Sequence, residues 1–253
     1  MTTQQSPIEM YWLPGCSSCL RLKEFMEGSG VTFEEINVLE HPRRADKLKP
    51  LGLYTPAVCV GDRCVSGTGL DVVANLIGIR YERARMLAPP VLAARYERVL
   101  DAACRYIAQL PPAGLGYTLP GRDRPMIDVA NQTASVIRGF LAAYYDGTHD
   151  RQFTKLPADV RTVDDLLDRA AETRTRFRAW WEEDGSDDPL NRVIATPWWG
   201  HRTLHEVFER EVCHTAQHTR QLMMALDSLG IVADEPLTDG DLDGLPLAAG
   251  VHG

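Results

Sequence analysis

The chain has 253 residues, 44% hydrophobic and 25% charged, which excludes wholesale disorder and fibrous repeats and leaves room for two small domains. Its formal net charge is −8, but residues 232–253 hold five acids and no Lys or Arg, so the body is near neutral and offers no basic face for nucleic acid. No apolar run approaches the roughly 20 residues of a membrane span, and the opening Met-Thr-Thr-Gln-Gln-Ser lacks the basic flank and apolar core of a secretory leader, so no membrane partner and a cytoplasmic location are expected.

Ile8–Trp12 reads as a strand and residues 14–19 as a turn. Residues 20–27 carry Leu22, Phe25 and Met26 at helical spacing, and Gly28-Ser29-Gly30 stops that helix. Residues 31–38 alternate as a second strand, and residues 42–51 form a short charged helix. Ala57–Val60 and Arg63–Ser66 read as a hairpin turning at Gly61-Asp62, and residues 71–77 as a closing helix. The order is β-α-β-α-β-β-α. A different texture begins near residue 85. Four amphipathic stretches, 90–110, 126–146, 162–183 and 202–229, are separated by Pro- and Gly-rich breakers and predict a four-helix bundle. Residues 234–253 show no periodicity. The expected fold class is α+β, with one domain at 1–80, a helical one at 81–232 and an acidic, flexible tail at 233–253.

Six cysteines in a cytosolic chain point to redox or metal chemistry before a disulfide framework. Cys16 and Cys19 stand two residues apart at the start of a helix, where the helix N-terminus stabilises a thiolate at the first cysteine. The second is near enough to resolve a mixed disulfide. Thr55-Pro56 precedes a strand, where a cis proline would set backbone groups beside the pair. Two other uses of the pair stay open: a docking module, and a zinc knuckle completed by Cys59 and Cys64 as cross-strand neighbours. Otherwise Cys59, Cys64, Cys104 and Cys213 read as packing residues.

Tyr11-Trp12, Cys16-Ser17-Ser18-Cys19, Thr55-Pro56 and the run Gly67-Thr68-Gly69-Leu70-Asp71 make residues 8–79 resemble a glutaredoxin or thioredoxin-fold domain. The resemblance implies that Cys16 is the nucleophile and Cys19 the resolving residue. It also implies that Thr55, Pro56, Gly67, Thr68 and Asp71 bind a low-molecular-weight thiol. The pair lacks the aromatic residue that many glutaredoxins carry between their cysteines.

His214 and His218 lie four residues apart in the last helical stretch, about 40° apart around the axis. Val207, Ala225 and Leu229 fall near the same direction, so this face points inward. Two imidazoles so placed serve equally as core residues or as ligands to one borderline-soft metal. His201 and His205 face the other way and read as helix-start and surface residues. Asp164-Asp165 and Asp187-Asp188 read as helix-start charges. Trp180-Trp181 and Trp198-Trp199 read as packing or as a pocket wall.

His214-x-x-x-His218 followed by Thr219-Arg220-Gln221-Leu222, with Thr203-Leu204-His205-Glu206-Val207 ahead, makes residues 85–231 resemble the DinB/YfiT-like four-helix superfamily. That resemblance implies a divalent metal, zinc or nickel, on three histidines, and a thiol such as mycothiol or glutathione as co-substrate. The histidine of the second helix is missing here. Gln132 takes its place, with Asn131 beside it, and Glu211 stands one turn before His214 to orient a ligand or bind directly. The resulting expectation is a thiol-dependent metalloenzyme, of transferase or isomerase type, fused to a thiol-disulfide oxidoreductase. Its partners would be a small thiol and an electrophilic or disulfide substrate, and a homodimer is a family habit. Two alternatives stay open: an oxidoreductase carrying a metal-free binding or dimerisation module, and a protein handling soft metals or organometals.

Overall fold

The computed structural model describes residues 6–149, 152–196 and 199–252. Among them the chain forms two compact units. The first comprises residues 6–84 with Trp199 and residues 248–252; the second comprises residues 85–149, 152–196 and 200–247. Trp198, named above as packing or pocket wall, lies outside the described residues.

In the first unit β1 (Ile8–Trp12) pairs in parallel with β2 (Glu34–Asn37) and antiparallel with β3 (Ala57–Val60). The strand β4 (Arg63–Ser66) closes a sheet of order β2-β1-β3-β4. Alternation sends successive side chains to opposite faces. Met10 and Val58 meet Leu22 and Met26 of α1 (Ser17–Gly28) and Leu70 and Val73 of α3 (Leu70–Ile77). Tyr11, Ala57 and Cys59 face the other way with Ile36, against Leu48 in the segment made by α2 (Pro42–Ala45) and the 3₁₀ turns of Asp46–Leu51. The element order is the expected one.

One expectation is corrected in this sheet. Cys59 and Cys64 are not merely packing residues: they form a disulfide with an S–S distance of 2.04 Å. The two-residue turn at Gly61-Asp62 sets them directly opposite in the ladder, with Cα atoms 4.1 Å apart. That is the close spacing of a pair without ladder hydrogen bonds. Zinc ligation by these two sulfurs in this state is excluded with it.

The second unit is mostly helical. Its longer helices are α4 (Pro89–Gln109), α5 (Met126–Ser135), α6 (Ile137–Asp146), α7 (Val163–Trp180) and α8 (Leu204–Ser228). Tyr106, Ile107, Met126, Val129, Leu166, Leu222 and Leu226 share one core cluster. An aromatic cluster adds Phe140, stacked on Phe208 at 4.8 Å and edge-on to Trp180 at 4.8 Å. Trp180 is therefore a packing residue. Residues 126–146 do not run as one helix. Thr133 and Ser135 donate their hydroxyls to the carbonyls of Val129 and Asn131, and such back-bonding bends a helix at Val136.

Two further differences sit near α8. Residues 193–196 and 200–203 form a small antiparallel pair, β5 (Val193–Thr196) and β6 (Gly200–Thr203), where no strand was expected. His201 lies exposed on β6, and His205 Nε2 is 2.7 Å from the Leu87 carbonyl. Asp165 caps α7 as expected, but Asp188 closes a turn by accepting Leu190 N–H at 2.7 Å.

The segment expected as a loose tail is packed, and as far as residue 247 it belongs to the helical unit. It carries α9 (Asp239–Leu242), capped by Thr238, and buries Leu237 and Leu245. Leu237 N–H donates to Tyr106 Oη at 2.8 Å. Its acids face a row of arginines on α4: Arg98 Nε donates to Asp241 at 2.9 Å, and Arg105 to the carbonyl of Asp234 at 3.3 Å. Among the described residues, no helix is long and apolar enough to cross a membrane.

Candidate functional site

β1 delivers the chain to Pro14 and Gly15, and Gly15 turns it with φ of +65°. Cys16 is then the N-cap of α1, in extended conformation. Its Sγ accepts the Cys19 N–H at 3.2 Å, the bond a serine or aspartate makes in an ordinary cap. Cys16 is partly exposed and Cys19 is 2% exposed, and the two are joined as a disulfide with Cα atoms 5.2 Å apart. The more exposed cysteine is thus the one at the positive end of the helix, where its thiolate would be stabilised.

The Thr55–Pro56 peptide bond is cis, and Pro56 is buried at the start of β3. Its carbonyl accepts the Gly67 N–H at 2.8 Å. Gly67 is held so closely that a Cβ there would stand 2.5 Å from Leu22 Cδ2 and 2.9 Å from Pro56 Cβ. The proline loop, the Gly67 turn and α1 therefore meet at one corner of the sheet. Thr68 N–H donates to Ser66 Oγ at 3.3 Å, and Asp71 is exposed in the first turn of α3.

In the helical unit, a capping box of Thr203 and Glu206 starts α8, which carries Glu211, His214 and His218 inward. His218 is 2% exposed and His214 18%. Their ring centroids are 4.6 Å apart. Gln132, from α5, joins them: its Oε1 lies 3.1 Å from His218 Nε2. Asn131 instead donates to the Lys155 carbonyl at 3.2 Å. Cys213 is half-buried and outside the two disulfides.

Glu211 sits among three side chains. One oxygen meets His149 Nε2 at 2.9 Å and also Arg210, while the other stands 3.6 Å from His214 Nδ1, beyond hydrogen-bond range. Burial pushes the Glu211 carboxyl up, but Arg210, His149 and His214 outweigh it and hold the group well below the usual carboxylate range. Burial, seconded by His214 and Arg124, pushes His218 well below the usual imidazole range. Burial lowers His214 too, partly offset by Glu211. Arg124 is pulled down to about 10 by burial and by Arg122. His149 escapes a search for inward helix faces because it lies in the loop after α6. The nearby signal, Gly147-Thr148-His149, has no periodicity.

A neutral His218 holds one N–H. It serves either Gln221 Oε1, 2.7 Å from Nδ1, or Gln132 Oε1, 3.1 Å from Nε2. His214, His218 and Gln132 thus bring two imidazoles and a neutral amide together. Among the described residues no group of three or more His, Cys, Asp and Glu side chains is arranged to hold a metal ion.

No curated protein matches the chain. Among solved structures, it resembles a mutant of a mycothiol-dependent maleylpyruvate isomerase, with 15% identity and a TM-score of 0.41 over 54% of this chain and 61% of that one. The likeness thus spans less than two thirds of the isomerase. A glutathione transferase homologue from Sulfitobacter, solved with bound glutathione, is 14% identical with a TM-score of 0.28, over 89% of this chain and 99% of that one. Residues 8–65 match the glutaredoxin family, so the stretch bearing Cys16, Cys19 and the cis Thr55–Pro56 bond is a glutaredoxin domain at the N-terminal end of the chain.

Proposed function

We propose that the chain is a thiol-dependent enzyme whose first unit exchanges disulfides through Cys16 and Cys19. The observation that carries this reading is the Cys16 sulfur capping α1 in front of a buried Cys19, inside the segment that matches glutaredoxins. In the reduced state the Cys16 thiolate attacks one sulfur of a mixed disulfide. That S–S bond breaks, and the other sulfur leaves as a thiolate and takes up a proton. Cys19 gives up its proton and attacks the Cys16 sulfur, releasing the second thiol and closing the Cys16–Cys19 disulfide. Two molecules of a low-molecular-weight thiol, glutathione or mycothiol, restore the dithiol and leave as their own disulfide. Thr55, Pro56, Gly67, Thr68 and Asp71 form the wall against which that thiol lies. The test is turnover of a mixed disulfide of glutathione with cysteine. Cys16→Ser is expected to lower it about a thousandfold, the order of losing a covalent nucleophile. Undiminished turnover would overturn the assignment.

For the helical unit the proposal is finer: His214, His218 and Gln132 hold a divalent ion, zinc or nickel. The gathering of His214, His218 and Gln132 supports it. Such an ion supplies positive charge that lowers the pKa of a bound thiol. The chain's own part would be to present the two imidazoles, with the Glu211 carboxylate beside His214 and held by His149 and Arg210. Elemental analysis of protein prepared without a histidine tag tests it: about one equivalent is expected, lost in His214→Ala. A content below about a tenth of an equivalent, unchanged by the substitution, favours a metal-free binding or dimerisation module. Tight uptake of mercuric ion that depends on Cys16 favours the soft-metal reading.

A further inference from the structure

Residues 248–252 are remote in sequence from the redox turn but belong to the same compact unit. They are gripped by one side chain of α1. Glu24 accepts the Ala249 N–H on Oε2 at 2.8 Å and the Gly250 N–H on Oε1 at 3.0 Å. Two consecutive backbone donors on one carboxylate make a strong, directional hold. Ala248 is 5% exposed. Gly250 stands against Leu20, whose Cδ2 would be 3.0 Å from a Cβ at that glycine. His252 lays its ring on Gly15: a Cβ there would be 2.7 Å from Cε1 and 3.2 Å from Nδ1 of the imidazole. Gly15 is thus required twice, by its positive φ and by this contact.

Cys16, Leu20 and Glu24 are spaced by four, so they share one stripe of α1. The segment follows that stripe from Glu24 back to the turn just ahead of the nucleophile. The flank of Cys16 on the side of Gly15 and Leu20 is filled by the chain's own backbone and an imidazole. Cys16 itself stays partly exposed.

We propose that residues 248–252 are a specificity strap, which leaves the Cys16 sulfur open to low-molecular-weight disulfides and closes it to disulfides carried on folded proteins. This rests on the assignment of Cys16 as nucleophile and names the substrate class of that site. A small disulfide needs clearance only around its own two sulfurs. A protein disulfide brings flanking backbone, which must lie along the surface next to the nucleophile. Here the strap already lies along it and already occupies the carboxylate of Glu24.

The experiment compares the full chain with a chain ending at Leu247 on two substrates: the mixed disulfide of glutathione with free cysteine, and serum albumin carrying glutathione on its thiol. The shortened chain is expected to keep kcat/KM on the small substrate within about twofold and to gain about tenfold or more on albumin. Glu24→Ala keeps every strap residue but removes the grip, and it is expected to gain on albumin by a smaller factor. It decides the matter if the shortened chain fails to fold. Equal gains on both substrates, or no gain on albumin from either variant, overturn the strap. Cys16→Ser separates the two failures. If it retains small-substrate turnover, the nucleophile assignment falls. If it abolishes turnover while neither strap variant changes selectivity, the strap alone falls.

Discussion

The redox turn and the histidine cluster set their polar side chains in opposite ways. Cys16 is placed by a few consecutive residues: Gly15 makes the turn, α1 supplies the N–H, and Cys19 waits one turn on. Cys16 is partly exposed. Gln132, His149, Glu211, His214 and His218 come from three separate stretches and depend on one another for partners in the interior. A local, exposed motif can lose its reactive atom without disturbing the fold. A buried cluster of ionic and imidazole groups cannot lose a member without leaving another uncompensated. Substitution should therefore act on chemistry in one region and on stability in the other.

The strongest way to break that contrast is to exchange the effects. Cys16→Ser is expected to lower disulfide turnover about a thousandfold while moving unfolding free energy by under about 0.5 kcal/mol under reducing conditions. Glu211→Gln should do the reverse. It leaves Arg210 and His149 without their buried carboxylate, at a cost of about 3 kcal/mol in the helical unit. Disulfide turnover should hold within about twofold. Urea titration followed by tryptophan fluorescence measures the first, and the mixed-disulfide assay the second. A Glu211→Gln midpoint equal to that of the parent chain would mean the cluster is not a structural unit.

The same contrast explains what a reader of the sequence can see. The glutaredoxin part is legible because its signals are short-range: strand alternation, the cap at Cys16, the two-residue turn at Gly61-Asp62. The hairpin register even sets Cys59 opposite Cys64. That their sulfurs join depends on Cα spacing and side-chain direction, which the pattern does not carry. His149 is illegible because its partner Glu211 is 62 residues away and it sits in a loop. The segment after residue 233 is illegible for a related reason. Its acids look like a solvated tail until Arg98, 143 residues before Asp241, is known to face it. The break at Val136 is readable only in hindsight, from the hydroxyls of Thr133 and Ser135.

A medium effect is expected from the hairpin disulfide. Replacing both Cys59 and Cys64 by alanine removes a bond that closes a short loop. Chain entropy puts its contribution at about 2 kcal/mol. The loss should appear in the first unit and be absent from the helical one. Amide exchange resolves the two: protection should fall in β3 and β4 and stay unchanged in α8. A uniform loss across both units would show that they unfold together.

The smallest effect belongs to Asp241. Arg98 donates to it, the Thr238 N–H adds a second bond, and together they hold its carboxyl down to about 2. In an unfolded chain it titrates near about 3.9. A folded pKa below the unfolded one means a stabilising contribution that is complete above about pH 4 and is lost as pH falls toward about 2. The pair is near the surface, and Arg98 is 40% exposed, so solvent screening keeps the effect well below that of Glu211. Asp241→Asn should therefore lower the urea midpoint slightly at about pH 6, with the gap from the parent chain much reduced at about pH 2. A gap that persists unchanged at the lower pH would show that the Asp241 carboxylate does not hold this segment to α4, and that Leu237 and Leu245 suffice.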